Sequence, residues 1–440
     1  MKNFNIPQNL LLTLTFLLPY EQQTRAVEVK SLFVAVGDTV RVTCLFNRSL
    51  WHEWAQIGWL EDSKSSHRDF HLYKNFNKEG KNQSTDKDIF NNVNMTGSGA
   101  EGDFSLLFSP VHFEHSGRFT CYYRNTSTHI LTKLKVVKLI TAEVTSPKYP
   151  VEEGSETTLR CSISSGADVD VEWMRGELSV GKGKEMKVSQ MGVTDGGKWT
   201  CIVSTMNKTR LTINHFINVY KRSHDGVKRS IFITPVNSNI TLPGVNHHST
   251  RWYKVNESKS LMKDRDEQTN GKFTITEDFS LRISDVRPED TGHYECRSDR
   301  DIYYILIIIV TATVTPNKGA SEGTTRTLTC DLSHPVPDVT FGWRHETYDH
   351  DVTNHSSFTL TFAPEDPRKW MCVLYGESGR IITTISQTIV EGQGTENCRI
   401  FIWMFIAYVL LLVIASELLV WYLLKKKGTN QRKSRNKYMK

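Results

Sequence analysis

The sequence predicts an all-β chain of four tandem immunoglobulin-like β-sandwiches plus one transmembrane helix. Three observations carry that fold class. The first is a corner motif that occurs four times: His115-Ser116-Gly117-Arg118-Phe119-Thr120-Cys121, Asp195-Gly196-Gly197-Lys198-Trp199-Thr200-Cys201, Asp290-Thr291-Gly292-His293-Tyr294-Glu295-Cys296 and Asp366-Pro367-Arg368-Lys369-Trp370-Met371-Cys372. Its aromatic and its cysteine, two residues apart, fall on one face of a strand and point into a core. The second is what precedes each copy: a tryptophan (Trp59, Trp173, Trp252, Trp343) closing an alternating apolar run and, in three of four cases, an earlier cysteine. Cysteine, tryptophan, then aromatic-x-Cys is the order of strands B, C and F in an immunoglobulin sandwich. The third is the run from Ile400 to Leu424, which holds one charge, Glu417, and is followed by Lys425-Lys426-Lys427. A helix of that length spans ~37 Å, enough for a hydrocarbon core of ~30 Å.

The spacing between cysteines sets the type of each sandwich. Domain one, 27–139, separates Cys44 from Cys121 by 77 residues, which leaves room for the C′ and C″ strands of a variable-type domain. Ala55, Ile57 and Trp59 alternate, so Trp59 is the expected core tryptophan; Trp51 and Trp54 then fall in an enlarged B–C loop. Domain two, 140–220, pairs Cys161 with Cys201 across only 40 residues, too few for both extra strands, and reads as a constant-like C2 sandwich. Domain three, 221–312, has Phe279, Leu281 and Ile283 as strand E, but Gly244 stands where the first cysteine belongs, so it is variable-like without the inter-sheet disulfide. Domain four, 313–391, returns to the short pattern with Cys330, Trp343 and Cys372. Neither 129–144 nor 302–314 contains proline or glycine, so one strand is expected to run through each of those joints. The polar, glycine-bearing 221–226 is expected to be a hinge between two stiff pairs.

The flanks point to export. Residues 1–26 read as a secretory signal, with Lys2, an apolar run from Leu10 to Leu18 and a small-residue end at Ala26. Eight glycosylation sequons, at Asn47, Asn82, Asn94, Asn125, Asn207, Asn239, Asn256 and Asn354, all lie between the signal and residue 400. Residues 392–399 are a stalk, 400–424 the span, and 425–440 a basic cytoplasmic tail. That tail holds eight Lys/Arg and no acid, so it alone exceeds the net charge of +6 and leaves the rest slightly acidic. The basic excess therefore suits an anionic membrane leaflet and argues against nucleic acid as a partner.

This combination resembles the helper T-cell co-receptor family, cluster of differentiation four. The resemblance is carried by Val188-Ser189-Gln190-Met191 leading into Gly197-Lys198-Trp199-Thr200-Cys201, by the bridge-less third domain, and by Trp370-Met371-Cys372-Val373-Leu374 with Ser378-Gly379. It implies a plasma-membrane, single-pass type I co-receptor that binds class II histocompatibility molecules through domain one. In that family an exposed aromatic on the C′–C″ ridge, with nearby cations, meets the partner. The matching residues here are Phe76 with Lys74, Lys78 and Lys87, while Trp51 and Trp54 either anchor a ligand or fold back over the domain tip. Two features depart from the family. The tail has no cysteine with which to form a zinc-sharing Cys-x-Cys kinase clasp, and His115 replaces the aspartate of the first corner. The alternatives are an inhibitory receptor of the lymphocyte activation gene three type, whose Lys-Ile-Glu-Glu-Leu-Glu tail motif is absent here, and a homophilic adhesion protein.

Three further residues stand out. Glu417 inside the span either pairs with a basic residue of a partner helix or shifts to the interface. Cys398 either links two copies, is acylated, or is an unpaired juxtamembrane thiol. Cys296 reads as a buried inert thiol. No enzyme, metal or cofactor is expected. Gly97-Ser98-Gly99-Ala100-Glu101-Gly102 matches a dinucleotide pattern, but it precedes a strand rather than a helix. Gly319-Ala320-Ser321-Glu322-Gly323 matches a nucleophile elbow without the strand-to-helix context. His52-Glu53 lacks the second histidine of a zinc helix, Gln56 standing there.

Overall fold

The computed structural model describes residues 29–45, 55–61, 71–76, 82–86, 93–96, 103–125, 131–146, 150–164, 168–206, 208–224, 227–244, 249–255, 260–261, 271–299, 301–316, 323–345, 347, 350–361, 363, 368–389 and 396–435.

Domain one contains β1 (Val29–Ala35), β2 (Val40–Val42), β3 (Ala55–Glu61), β4 (His71–Phe76), β5 (Asn82–Asp86), β6 (Val93–Thr96), β7 (Ser105–Phe108), β8 (Gly117–Asn125) and the first half of β9 (Leu131–Thr145). One sheet is β2-β7-β6; the other runs β9-β8-β3-β4-β5, with β1 parallel to β9. β4 and β5 are the C′ and C″ strands of a variable-type sandwich. Between the sheets the Cys44–Cys121 bridge packs among Phe104, Leu106, Phe108 and Phe119, all without solvent exposure.

With no glycine or proline to bend it, β9 leaves β8 and continues into domain two, where Val144 is paired with Cys161. There follow β10 (Val151–Glu152), β11 (Thr157–Ile163), β12 (Asp170–Arg175), β13 (Leu178–Lys182), β14 (Glu185–Val188), β15 (Gly197–Thr205), β16 (Lys208–Ile217) and β17 (Val219–Arg222). The sheet β13-β12-β15-β16 faces β11 and β14 across the Cys161–Cys201 bridge. The short spacing still admits one C′ strand, β13, which a tight turn at Gly176 (φ +62°) lets fold back on β12.

Domain three comprises β18 (Lys228–Pro235), β19 (Ile240–Leu242), β20 (Arg251–Val255), β21 (Ser260–Leu261), β22 (Phe273–Ile275), β23 (Leu281–Ile283), β24 (Gly292–Arg297) and β25 (Ile302–Thr315). Like β9, β25 crosses into the next sandwich, pairing with β26 (Thr325–Leu332). Domain four adds β27 (Thr340–His345), β28 (Ser357–Thr361), β29 (Lys369–Tyr375) and β30 (Ile381–Thr388), with Cys330 bonded to Cys372. The helix α1 (Glu396–Arg435) follows, and its apolar stretch Ile402–Lys425 is long enough to cross a membrane.

One register recurs in all four sandwiches. The strand-C tryptophan lies directly opposite the strand-F cysteine: Trp59 with Cys121, Trp173 with Cys201, Trp252 with Cys296 and Trp343 with Cys372. Trp173, Trp252 and Trp343 are fully buried, and each indole N–H donates to a backbone carbonyl: Gly183 at 2.9 Å, Phe279 at 2.8 Å and Ser356 at 3.1 Å. A buried indole carries an obligatory donor, so these bonds fix which neighbouring segment closes over it.

Domain three shows why its bridge is missing. Phe279 is not part of strand E, which begins at Leu281; it takes a left-handed conformation (φ +63°) that drives its carbonyl toward strand B. A Cβ on Gly244 would sit 2.1 Å from that oxygen. The glycine is thus a steric requirement of the pinched sandwich, and Cys296 is buried and takes no part in the three disulfides of the described residues.

The expected hinge at 221–226 is not a free joint. β17 is hydrogen-bonded on both sides, to β10 (Glu152 opposite Tyr220) and to β18 (Tyr220 opposite Ser230, Arg222 opposite Lys228). β17 and β18 pair antiparallel and the Ser223 amide donates to the Val227 carbonyl, while Asp225 and Gly226 lie outside the described residues. Tyr220 is buried in the core of domain three, edge-on to Tyr303, and the Lys228 ammonium lies over both rings and bonds to Asp301. One sheet, β10-β17-β18-β25-β24-β20-β21, therefore runs through the joint.

Candidate functional site

Domain one presents the residues that the sequence nominates for partner binding. Lys74 and Phe76 lie two apart on β4 and so share a face. β4 sits between β3 and the edge strand β5, with Lys74 opposite Ser84 and Phe76 opposite Asn82. The first residue of the sequon Asn82-Gln83-Ser84 is thus the register partner of Phe76, a pairing that only the strand register discloses. Trp51, Trp54, Lys78 and Lys87 lie outside the described residues, as do Asn47, Asn207 and Asn256.

Among the remaining sequons, Asn94, Asn239 and Asn354 are exposed, and Asn125 ends β8 opposite Ala55. The Asn239 side-chain oxygen accepts the Asp285 amide at 2.9 Å. Cys398 falls in the first turn of α1, inside the segment expected to be a stalk. Glu417 sits eight residues before Lys425, ~12 Å along the helix, and is exposed on a helix that packs against no other element among the described residues.

The corners of the first three domains differ in their electrostatics. In domain three Asp290 accepts the Arg287 amide at 2.7 Å and pairs with Lys272 at 2.7 Å, while Tyr294 donates back to the Asp290 carbonyl at 3.0 Å. Burial pushes the Tyr294 phenol well above its ordinary value. In domain two Asp195 accepts the Gly192 amide and Trp199 takes over the donor role toward the Asp195 carbonyl at 3.1 Å. Its cation, however, comes from domain four: Arg380, at 2.5 Å. In domain one the buried His115 replaces the carboxylate by accepting the His112 amide at Nδ1, 3.0 Å away. Burial, helped by the adjacent His112 and opposed by Glu114, holds that imidazole below its ordinary value. A neutral ring nitrogen thus makes the bond that a carboxylate makes in the corners of domains two and three.

A mostly apolar cavity of about 370 Å³ lies where domain two meets domain three, lined by Val193, Ile231, Tyr304 and Leu306 with Lys221, Arg229 and His293. Ser230 also lines it, and its lining residues include no carboxylate. The glycine-rich segments 97–102 and 319–323 lie, for the most part, outside the described residues, and the described strands after them are β7 and β26.

Comparison with known proteins agrees with this architecture. An immunoglobulin V-set domain model matches residues 28–139, and an immunoglobulin domain model matches 139–214. A peroxidasin homolog from Mus musculus is 24% identical over 326 residues, 69% of this chain and 19% of that protein. Cell surface glycoprotein MUC18 from Homo sapiens is 28% identical over 121 residues, 26% of this chain and 19% of its own length. The chain thus spans about a fifth of the length of these relatives. Among solved structures, the extracellular domains of the voltage-gated sodium channel beta4 subunit, described as parallel homodimers with a role in cell-cell adhesion, match at 18% identity and a TM-score of 0.22, covering 26% of this chain and 92% of that one. The chain is a multi-domain protein of immunoglobulin V-set and immunoglobulin sandwiches, and these matches do not single out the helper T-cell co-receptor.

Proposed function

We propose that this protein is a membrane-anchored surface adhesion molecule whose variable-type first domain binds a protein on an opposing cell, a second copy of the chain being the first partner to test. The observation that carries this reading is the order of parts: a V-set sandwich at one end, strands continuous through two joints, and an apolar helix at the other end. Such an arrangement holds a recognition surface away from a lipid bilayer, and the surface glycoprotein among its relatives fits the same location. In the proposed orientation Lys425-Lys426-Lys427 lie on the cytoplasmic side and the sequons outside.

Binding of class II histocompatibility molecules is the second reading, favoured by Phe76 and Lys74 sharing one face of β4. The sequon at Asn82, opposite Phe76, works against a bare aromatic anchor there. The two readings separate in one experiment. Cells expressing the full chain are mixed with each other and with cells bearing class II molecules. Homophilic adhesion predicts aggregation among the expressing cells alone. The co-receptor reading predicts adhesion to class II cells that is lost on Phe76→Ala and strengthened on Asn82→Gln. Aggregation with neither population defeats both.

A further inference from the structure

Domain two touches domain four, and the contact is built rather than incidental. Arg380 of domain four donates from Nε and Nη2 to both carboxylate oxygens of Asp195, and further to the carbonyls of Ser189 and Gln190. Asp195 is only 2% exposed. Lys369 pairs with Glu177 at 2.6 Å, and Ser386 donates to the other oxygen of the same carboxylate, also at 2.6 Å. The Glu177 amide donates to the Thr384 hydroxyl at 2.8 Å. The fit is close: a Cβ on Gly176 would lie 2.6 Å from the Thr384 backbone nitrogen.

Between these bonds sits Arg175, 1% exposed. Its guanidinium holds the corner of domain two through the carbonyls of Lys198 and Gly196, lies over the Trp199 ring, and reaches the Ile381 carbonyl of domain four at 3.2 Å. Nearby, Ile231 and Ile233 on the outer face of β18 pack with domain four's core residues. A second domain that reaches the fourth must fold back along the third, so the chain is not a straight rod.

We propose that this contact is a releasable latch. Asp195–Arg380 and Glu177–Lys369 hold a folded-back, short form of the extracellular region, and their rupture yields a longer form in which domain one stands farther from the span. Its polarity sets it apart from the joints. The β9 and β25 crossings are continuous hydrogen-bonded strands, and each of domains two and four is clamped by its own disulfide. The latch consists of side-chain ion pairs open to water at one edge, with Arg380 31% and Lys369 42% exposed. Load passed between the tip and the membrane therefore breaks these pairs before it opens a sandwich. The proposal does not depend on which partner domain one binds.

The test uses the full chain in lipid nanodiscs. A zero-length carbodiimide reagent should join Glu177 to Lys369 in the native protein. Arg380→Glu should lower that yield by roughly tenfold, the factor expected when a charged, hydrogen-bonded pair to a buried carboxylate is reversed. Intact Cys161–Cys201 and Cys330–Cys372 bridges exclude misfolding as the cause. A charge exchange supplies the independent arm: Lys369→Glu should speed hydrogen exchange of the Glu177 amide, and adding Glu177→Lys should restore its protection. Absence of the native cross-link, an unchanged yield in Arg380→Glu, or a double exchange that fails to restore protection overturns the latch.

Discussion

Gly244→Cys would seem to restore the missing bridge of domain three, since Cys296 already waits on strand F. The structure predicts the opposite. The new Cβ would lie 2.1 Å from the Phe279 oxygen and 2.6 Å from its carbonyl carbon, both backbone atoms, so the segment before strand E must move. That movement takes the acceptor away from the buried Trp252 N–H, which now bonds to it at 2.8 Å. Leaving such a donor unsatisfied costs about 1–3 kcal/mol, and overpacking a filled core costs a further ~1–3 kcal/mol. Against this stands a bridge contributing ~2–4 kcal/mol only if it closes in good geometry. The expected outcome is two free thiols in domain three, counted by alkylation under denaturing conditions and mass spectrometry. A calorimetric transition lowered by roughly 10–20 °C should accompany them. Gly244→Ala should lower it similarly, because the obstruction is the Cβ. A disulfide closed between the introduced thiol and Cys296, with a raised transition, would refute the steric account.

Two other outcomes follow from the corners and the helix. The His115 Nδ1 must be unprotonated to accept the His112 amide, and its folded-state value is depressed. The unfolded chain therefore takes up the proton first, and domain one should lose stability as the pH falls below about 6.5 toward the folded value. Denaturant titrations from about pH 7.5 to about pH 5 that show no loss, or an equal loss in His115→Gln, would contradict this. Glu417→Leu should abolish co-precipitation of any partner held through the span; a partner retained by the variant would show that the carboxylate sits at the interface instead.

Much of the chain's organisation is legible without coordinates, for a definite reason. A sandwich needs an inward-facing tryptophan and an aromatic two residues before the strand-F cysteine, and period-two alternation writes these into the sequence. The continuous strands β9 and β25 are equally visible, because an absence of glycine and proline is a local property. Local signals misled where a residue's partner is distant. The polar run 221–226 looks like a hinge, yet the strand β17 that leads into it is paired on both sides, with β10 and β18. Phe279 alternates correctly with Leu281 and Ile283, yet its left-handed backbone removes it from the strand.

The candidate site divides in the same way. The aromatic and its lysine neighbour can be picked out by resemblance, but that Phe76 pairs with Asn82 depends on the register of β4 against β5, which a sequence does not specify to the residue. By itself, then, the amino-acid order determines four sandwiches, three sulfur clamps, the tryptophan and cysteine positions of their cores and an apolar helix, since each follows from spacings within one element or between near neighbours. Only the tertiary structure decides that Asp195 takes its cation from Arg380, 185 residues away, and that domain two docks on domain four. Ion pairs between domains leave no periodic trace, because any cation within reach can satisfy a carboxylate, and which one does so is settled by how the domains pack.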